Sequence, residues 1–403
     1  MSAMNTSTEP SLTNAPASTP LPPALFRSLR LRGLALKNRI MVSPMCMYSA
    51  KDGVADDFHL AHLGRFAMGG AGIVFVEATA VSQQGRITHG CLGLWNDEQQ
   101  AGLQRITALM HRLGCAAGIQ LSHAGHKGSS AAPWDGAGPL TGGTLGDPWD
   151  TVSASAAPFD QGWPVPAELS AAALDTLVAD FVAAAIRADA AGFDMVEIHC
   201  AHGYLLHSFL SPLANRRDDA YGGDLAGRMR FPLRVIEAVR GAWPRAKPLA
   251  VRVSSVDGID VGWSADDTVA FGRALAAIGV DLIDCSSGGM PLERHQNLVS
   301  RTAGFHVPYA ERVRRETGVS TVAVGLIRDA AHADGIVDAG QADLVAIARE
   351  ALFDPNWPLH AELRLRGAPA WAAWPEPHGW WLMRRARQQG DRFDSLAHSL
   401  SAP

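Results

Sequence analysis

The 403-residue chain is 47% hydrophobic and 19% charged, with a formal net charge of −5 at pH 7. That mix can bury a core without staples, and the charge is too small to point to a nucleic acid or a membrane surface as partner. Five widely spaced cysteines with no C-x-x-C pair argue against a disulfide framework and an iron–sulfur cluster, and suit a reducing cytoplasm. Residues 1–23 are rich in Ser, Thr, Pro and Ala and lack the basic start and apolar run of a secretory signal, so they read as a disordered tail. No apolar run reaches membrane-spanning length.

In chain order, strand-like apolar runs fall at residues 40–42, 72–81, 116–121, 193–198, 249–253, 281–285, 321–324 and 343–347. Alanine-rich amphipathic stretches at 98–113, 169–191, 266–278 and 307–316 predict helices between them. Alternating strand and helix gives a parallel sheet, and eight repeats are what closure into a single (β/α)8 TIM barrel needs. The rival is a doubly wound open sheet, but no G-x-G-x-x-G or G-x-x-x-x-G-K-[ST] occurs. Two excursions break the rhythm. Residues 124–168, rich in Gly, Pro and Trp, follow the third strand and are expected over the catalytic face. Residues 207–223, after the fourth, line a site or simply pack on the rim.

The chemistry-bearing residues gather at strand ends. The first strand runs into Ser43-Pro44-Met45-Cys46-Met47-Tyr48, where Pro44 turns the chain out of the ladder. Cys46 and Tyr48 then face the mouth, or else pack as a small hydrophobe and a ring. Gln120 is an amide inside an apolar strand and needs partners, which a heterocycle or two backbone groups would supply. The fourth strand ends with His199, His202 and Tyr204, two imidazoles and a phenol, where barrels place active sites. Arg252 in the fifth strand is costly unless it meets an anion or several acceptors, and the candidates are a carboxylate in the barrel, such as Glu197 or Glu77, or a ligand. Val324-Gly325 and Ala348-Arg349 close the last two strands, where barrels often hold phosphate, although a solvated arginine is common there too. The spacing His199-x-x-His202 also suits a metal, but His59-x-x-His62 repeats it on a helix-like stretch and no third ligand is evident, so no metal is expected.

Together these segments resemble the old yellow enzyme family of flavin-dependent ene-reductases, and within it the bacterial, xenobiotic reductase-like subclass with a cysteine beside the flavin. The carrying motifs are SPMCMY at 43–48, VEATAVSQQGRI at 76–87, GIQLSHAGHKG at 118–128, EIHCAHGYLLHSFLSPLANRRDDAYGG at 197–223 and VRVS at 251–254. The resemblance implies an FMN-binding barrel over residues 24–366, with 367–403 as a C-terminal extension near the active site or an oligomer interface. It implies that Ser43, Pro44, Met45, Cys46 and Ala78 line the flavin, that Gln120 and Arg252 hold its pyrimidine end, and that Val324, Gly325, Ala348 and Arg349 hold its phosphate. Ala348 stands where many relatives carry glycine, which would tighten that approach. NADPH or NADH would reduce the flavin. An activated alkene such as an enone would then bind through His199, His202 and Tyr48 and take a proton from Tyr204. Trp381, in the Trp-rich segment 374–381, resembles an aromatic wall that in some relatives reaches a neighbouring subunit, which implies a homo-oligomer; otherwise the cluster packs on the barrel. Other readings are a larger relative such as a dienoyl-CoA reductase or amine dehydrogenase, which would add a cysteine-rich segment, a flavoprotein sensor or carrier without turnover, and a cofactor-free barrel.

Overall fold

The computed structural model describes residues 21–291 and 298–389; the tail reading for residues 1–20 and the last fourteen residues of the C-terminal extension lie outside them. Eight parallel strands close a barrel: β1 (Ile40–Val42), β2 (Ile73–Ala80), β3 (Ala116–Ser122), β4 (Met195–Cys200), β5 (Leu249–Ser254), β6 (Leu282–Ser286), β7 (Ser320–Ala323) and β8 (Leu344–Ile347). Neighbours in space are neighbours in sequence, and β8 pairs with β1 to complete the ring. The closed barrel is the predicted fold, and the open-sheet alternative falls.

Strand alternation decides what faces where. Met41, Ile73, Phe75, Met195, Ala250, Leu282, Val322, Leu344 and Ala346 form an apolar plug inside the barrel, closed from below by Leu31 and Leu36 of an N-terminal hairpin. Their neighbours of opposite parity, Ile40, Val74, Val196, Val251, Ile283 and Val345, pack outward against the helices. Both strand faces are thus buried, which is why the strands read as continuous apolar runs. The parity that puts Met195, Ala250 and Leu282 inside also sends Glu197 and His199, Arg252 and Ser254, and Asp284 and Ser286 inward. Those residues lie two and four positions further along, so a polar layer forms toward the C-terminal end of the barrel.

The helices begin where their caps say. Asp97–Arg112 (α2) starts at Asn96, whose side chain accepts from the Gln99 amide, and Ala265–Ala277 starts at Ser264 with Asp267 completing a capping box. Asp57–Met68 (α1) starts at Asp56 in the same way, with His59 in the reciprocal role. The first excursion contains short turns at Gly125–Lys127, Pro133–Asp135 and Gly143–Leu145 and a two-stranded pair, Val152–Ser153 with Ala167–Glu168. The second is tied down from inside. Asn215 Nδ2 donates to the Phe209 and Tyr221 carbonyls (2.7 and 2.8 Å), and Arg217 Nη1 donates to the Ala154 and Leu169 carbonyls (2.9 Å each). Residues 215–221 are therefore scaffold for both excursions. Among the described residues, no helix is long and apolar enough to cross a membrane.

Candidate active site

The polar layer and the loops above it bring together most of the residues singled out from the sequence. On β3, Gln120 donates its amide hydrogen to Glu197 Oε1 on β4 (2.7 Å), a side-chain partner that satisfies one end of the amide. Arg252 meets a carboxylate of the barrel, as expected, though not one of the two named. Its Nε stands 3.1 Å from Asp284 Oδ2 on the adjoining β6, not against Glu77, because strand register sets Arg252 and Asp284 side by side on the inward face. That contact is close but poorly aligned, so it is an ion pair without a formed hydrogen bond, and Arg252 Nε and both Asp284 oxygens remain without hydrogen-bond partners. Burial, then the charge of Asp284, push the Glu197 carboxyl up to about 8, against the opposing pull of Arg252 and Gln120. Burial raises Asp284 as well, so the two acids beside one guanidinium resist ionising together.

Glu77 departs from inward parity because of a β-bulge between Val76 and Ala78. The bulge turns Glu77 out toward α1, where its Oε1 lies 3.6 Å from His59 Nε2, and leaves Ala78 at the position that faces in. Cys46 and Tyr48 meet Tyr204 in a small apolar patch with Ile87, Cys91 and Ala124 at the barrel mouth. Burial raises the Cys46 thiol well above its ordinary range, and it raises both phenols beyond theirs, so all three stay protonated.

The turn after β4 carries the histidine pair. His202 has φ +60°, a left-handed conformation uncommon for a side chain of its size, and it persists because the backbone is clamped. Its amide donates to Ser254 Oγ (2.9 Å), and Gly289 packs so close that an added Cβ would lie 2.1 Å from His202 Cα. The His199 and His202 rings meet edge to face, 5.1 Å between centroids, and His199 meets Tyr204 at 5.0 Å. The Ala201 amide donates to His199 Nδ1 (3.2 Å), which puts the His199 proton on Nε2. That nitrogen stands 3.4 Å from His202 Nδ1, while His202 Nε2 lies 2.8 Å from the Ser286 hydroxyl. Burial, followed by the nearby Arg252 charge, pushes both rings well below the usual imidazole range, so both are neutral. With its proton on Nε2, His199 donates to His202 Nδ1, and His202 in turn donates from Nε2 to the Ser286 hydroxyl; turning that hydroxyl to donate moves the His202 proton to Nδ1, and in that tautomer both N–H groups face one point, as a carbonyl oxygen requires.

Two groups here were not assigned a role from the sequence. Lys127 donates to the His202 carbonyl (2.8 Å) and sits over the Tyr204 and Phe159 rings at 5.0 and 4.7 Å, with burial pushing it down to about 8. A lysine inside the glycine-rich AGHKG was the available signal. His207 accepts the Gly203 amide at Nδ1 (2.8 Å) and backs onto Asp257 at 3.1 Å, bracing the turn between His202 and Tyr204 from behind; no local pattern marked that pair.

Elsewhere the grouping is looser. Gly325 (φ +117°) and Leu326 (φ +52°) both have positive φ after β7, and a Cβ at Gly325 would lie 2.9 Å from the Phe305 ring, so glycine is required there. Ala348 precedes a single helical turn and Arg349 is exposed there. Trp381 stands on the final helix, Glu376–Gln389, two-thirds exposed and edge-on to Trp380, so this chain does not fold it in among the strand-end residues. Among the described residues, no group of three or more His, Cys, Asp or Glu is placed to hold a metal; His59 is bonded through Nδ1 to Asp56, and its Nε2 faces Glu77 at 3.6 Å. All five cysteines are free.

A flavin fits this donor set. Arg252 Nε and Glu197 Oε2 are buried on the inward face without hydrogen-bond partners, and Gln120 stands on the adjoining β3 against Glu197, so the polar layer has donors and acceptors left for a heterocycle. The family model described as "NADH:flavin oxidoreductase / NADH oxidase family" matches residues 24–366. An NADPH dehydrogenase of Listeria monocytogenes serotype 4a is 44% identical over 334 residues, 82% of this chain and 92% of that protein. One from Bacillus subtilis strain 168 is 43% identical over 333 residues, with the same coverage of both chains. Among solved structures, morphinone reductase has a TM-score of 0.70 at 25% identity, covering 85% of this chain and 90% of that one, and it has also been captured with tetrahydroNAD.

Proposed function

The chain belongs to the NADH:flavin oxidoreductase / NADH oxidase family, the old yellow enzyme family, and from that premise we propose that it is an ene-reductase that saturates the C=C bond of α,β-unsaturated carbonyl compounds. It is an FMN-dependent NAD(P)H oxidoreductase. Bound FMN supplies the hydride, which it has received from NADPH or NADH. In this reading Ser43, Pro44, Met45, Cys46 and Ala78 line the flavin, Gln120 and Arg252 hold its pyrimidine edge, and Val324, Gly325, Ala348 and Arg349 hold its phosphate.

The carrying observation is the convergence of His199 Nε2 and His202 Nδ1, 3.4 Å apart in two neutral rings. The pair grips the carbonyl oxygen of the alkene. Negative charge gathers on that oxygen as the β-carbon is reduced, and two donors lower its energy, His199 Nε2 and, once Ser286 donates to Nε2 of His202, His202 Nδ1. Neutral imidazoles suit the task, because each donates without giving up its proton. Tyr204, beside His199, holds its proton at any working pH and releases it to the α-carbon once that carbon becomes basic. Tyr48 adds a contact to the substrate oxygen. Lys127 fixes the turn through the His202 carbonyl and its charge lies on the Tyr204 ring face, which favours any negative charge developing on the phenol. Trp381 is supplied to the pocket of a second copy in a homo-oligomer, and the setting is a reducing cytoplasm in which five free thiols persist.

The test is anaerobic. NADPH or NADH is added to the yellow protein while the flavin band is followed, and 2-cyclohexenone is added once it has bleached. Recovery of the band on enone addition is expected. Bleaching by nicotinamide with no recovery by any enone, and slow recovery only in air, would reduce the protein to a carrier or sensor.

A further inference from the structure

Glu77 is an acid in an otherwise almost wholly apolar strand, and the reaction above makes no use of it. Turned out of the barrel by its bulge, it enters the layer beneath α1 and is buried there. Its Oε2 accepts the Met47 amide at 2.9 Å, and Oε1 faces His59 Nε2 at 3.6 Å. His59 is itself buried, and its Nδ1 lies 2.8 Å from Oδ1 of Asp56, the residue that caps α1. The three side chains form a line from a helix N-terminus to one backbone amide. A cavity of about 10 Å³, the size of one water, is lined by Ser43, His59 and Glu77, and both Ser43 Oγ and His59 Nε2 are buried polar atoms without a hydrogen-bond partner.

That amide lies between Cys46 and Tyr48. The segment has no regular structure, and Tyr48 sits at φ +49°, so neighbours must hold its shape. One hold comes from the mouth side, where Ala50 donates to the Gly90 carbonyl (2.9 Å) and a Cβ at Gly90 would lie 2.3 Å from the Tyr48 carbonyl oxygen. The other is Glu77. Burial pushes its carboxyl up to about 8, the mark of a group that is costly to keep where it is.

We propose that Glu77, backed by His59 and Asp56, is the positioning residue for the Cys46–Tyr48 loop and sets where the Cys46 thiol stands in the site. The proposal rests on the reading above that Cys46 lines the flavin, and adds the role the family resemblance implies for that thiol, tuning the flavin's potential. Its test is the midpoint potential of FMN in the holoenzyme, with Cys46→Ala as the internal standard. Glu77→Ala should reproduce most of the Cys46→Ala shift. Glu77→Gln, which keeps an oxygen for the Met47 amide, should reproduce little of it, and His59→Leu should fall between. A merely structural glutamate would lower the melting temperature of all three variants and leave the potential in place. A folded, flavin-loaded Glu77→Ala with the parent potential overturns the proposal. If Glu77→Ala does not fold, His59→Leu at the parent potential overturns it instead. A Cys46→Ala protein at the parent potential refutes the reading of Cys46 and the proposal with it, whereas a shift in Cys46→Ala alone refutes only the role of Glu77.

Discussion

Asp257 offers the sharpest test of how the histidine turn is held. Its Oδ2 accepts the Ser211 hydroxyl (2.6 Å) and the Trp263 amide (2.7 Å), and its Oδ1 faces His207 Nε2 at 3.1 Å in a bent contact whose worth is mainly electrostatic. Because the Gly203 amide occupies His207 Nδ1, the His207 proton is on Nε2, aimed at Asp257. In Asp257→Asn, the amide oxygen can keep Ser211 and Trp263, but the new NH2 then faces an N–H. Moving the His207 proton to Nδ1 only shifts the conflict to Gly203. Losing charge assistance costs about 1 kcal/mol for each of the two retained bonds, and one unpaired buried donor costs about 1–3 kcal/mol more, so the variant should lose roughly 3–5 kcal/mol. Urea unfolding at neutral pH, followed by tryptophan fluorescence, measures it. Because Gly203 separates His202 from Tyr204, enone turnover should also fall, on the order of tenfold or more. Burial alone would raise the Asp257 pKa, but His207, Ser211 and the Trp263 amide together hold it below the ordinary value. A depressed acid stabilises the fold above its unfolded pKa and loses that contribution as pH falls through its folded pKa, so the gap between parent and variant should close below about pH 4. A loss of less than about 1 kcal/mol, or a gap that does not vary with pH, would refute the brace.

His199→Ala removes one of two donors to the substrate oxygen and should lower kcat/KM for an enone by roughly tenfold to a hundredfold, with FMN still bound; loss of the flavin would instead make the histidine structural. Tyr204→Phe should slow re-oxidation by enone by about a hundredfold or more while leaving reduction by nicotinamide unchanged in stopped-flow traces. Equal slowing of both halves removes the acid role. Glu197→Gln keeps an oxygen for the Gln120 amide and takes away a carboxyl whose folded pKa is raised to about 8. An acid with a raised pKa stabilises the fold least at high pH, so the variant should gain stability over the parent as pH rises from roughly 5 to 8, by urea midpoint; a constant difference over that range counts against a protonated Glu197.

Much of the site was legible because barrels impose a rule that sequence can express. The eight apolar runs mark strands buried on both faces, and the residue types at their C-terminal ends, His199, His202, Tyr204, Gln120 and Arg252, are ones with no cheap place in a core. The partners were not legible. A barrel carboxylate was expected for Arg252, with Glu197 and Glu77 as examples, but the ion pair forms with Asp284, because register on the adjoining strand chooses the partner. Glu77 read as an inward-facing acid until one extra residue in β2 reversed its direction, and a bulge of that kind leaves no periodic trace. Lys127 and the His207–Asp257 pair act through backbone carbonyl and amide groups of the histidine turn, contacts that no side-chain spacing encodes. Trp381 shows the opposite limit: the sequence supplies an aromatic group, but the fold of a single chain leaves it on the surface.

By itself, then, the order of residue types determined the barrel, the end at which its polar side chains collect, and the identity of the groups gathered there, because alternation and burial cost act locally along each strand. Only the closed tertiary structure decided which acid faces which base, which imidazole nitrogen carries a proton, and which buried side chains hold the loops in place. Those outcomes depend on distances between segments far apart in the chain, and free energies of a few kcal/mol turn on such distances.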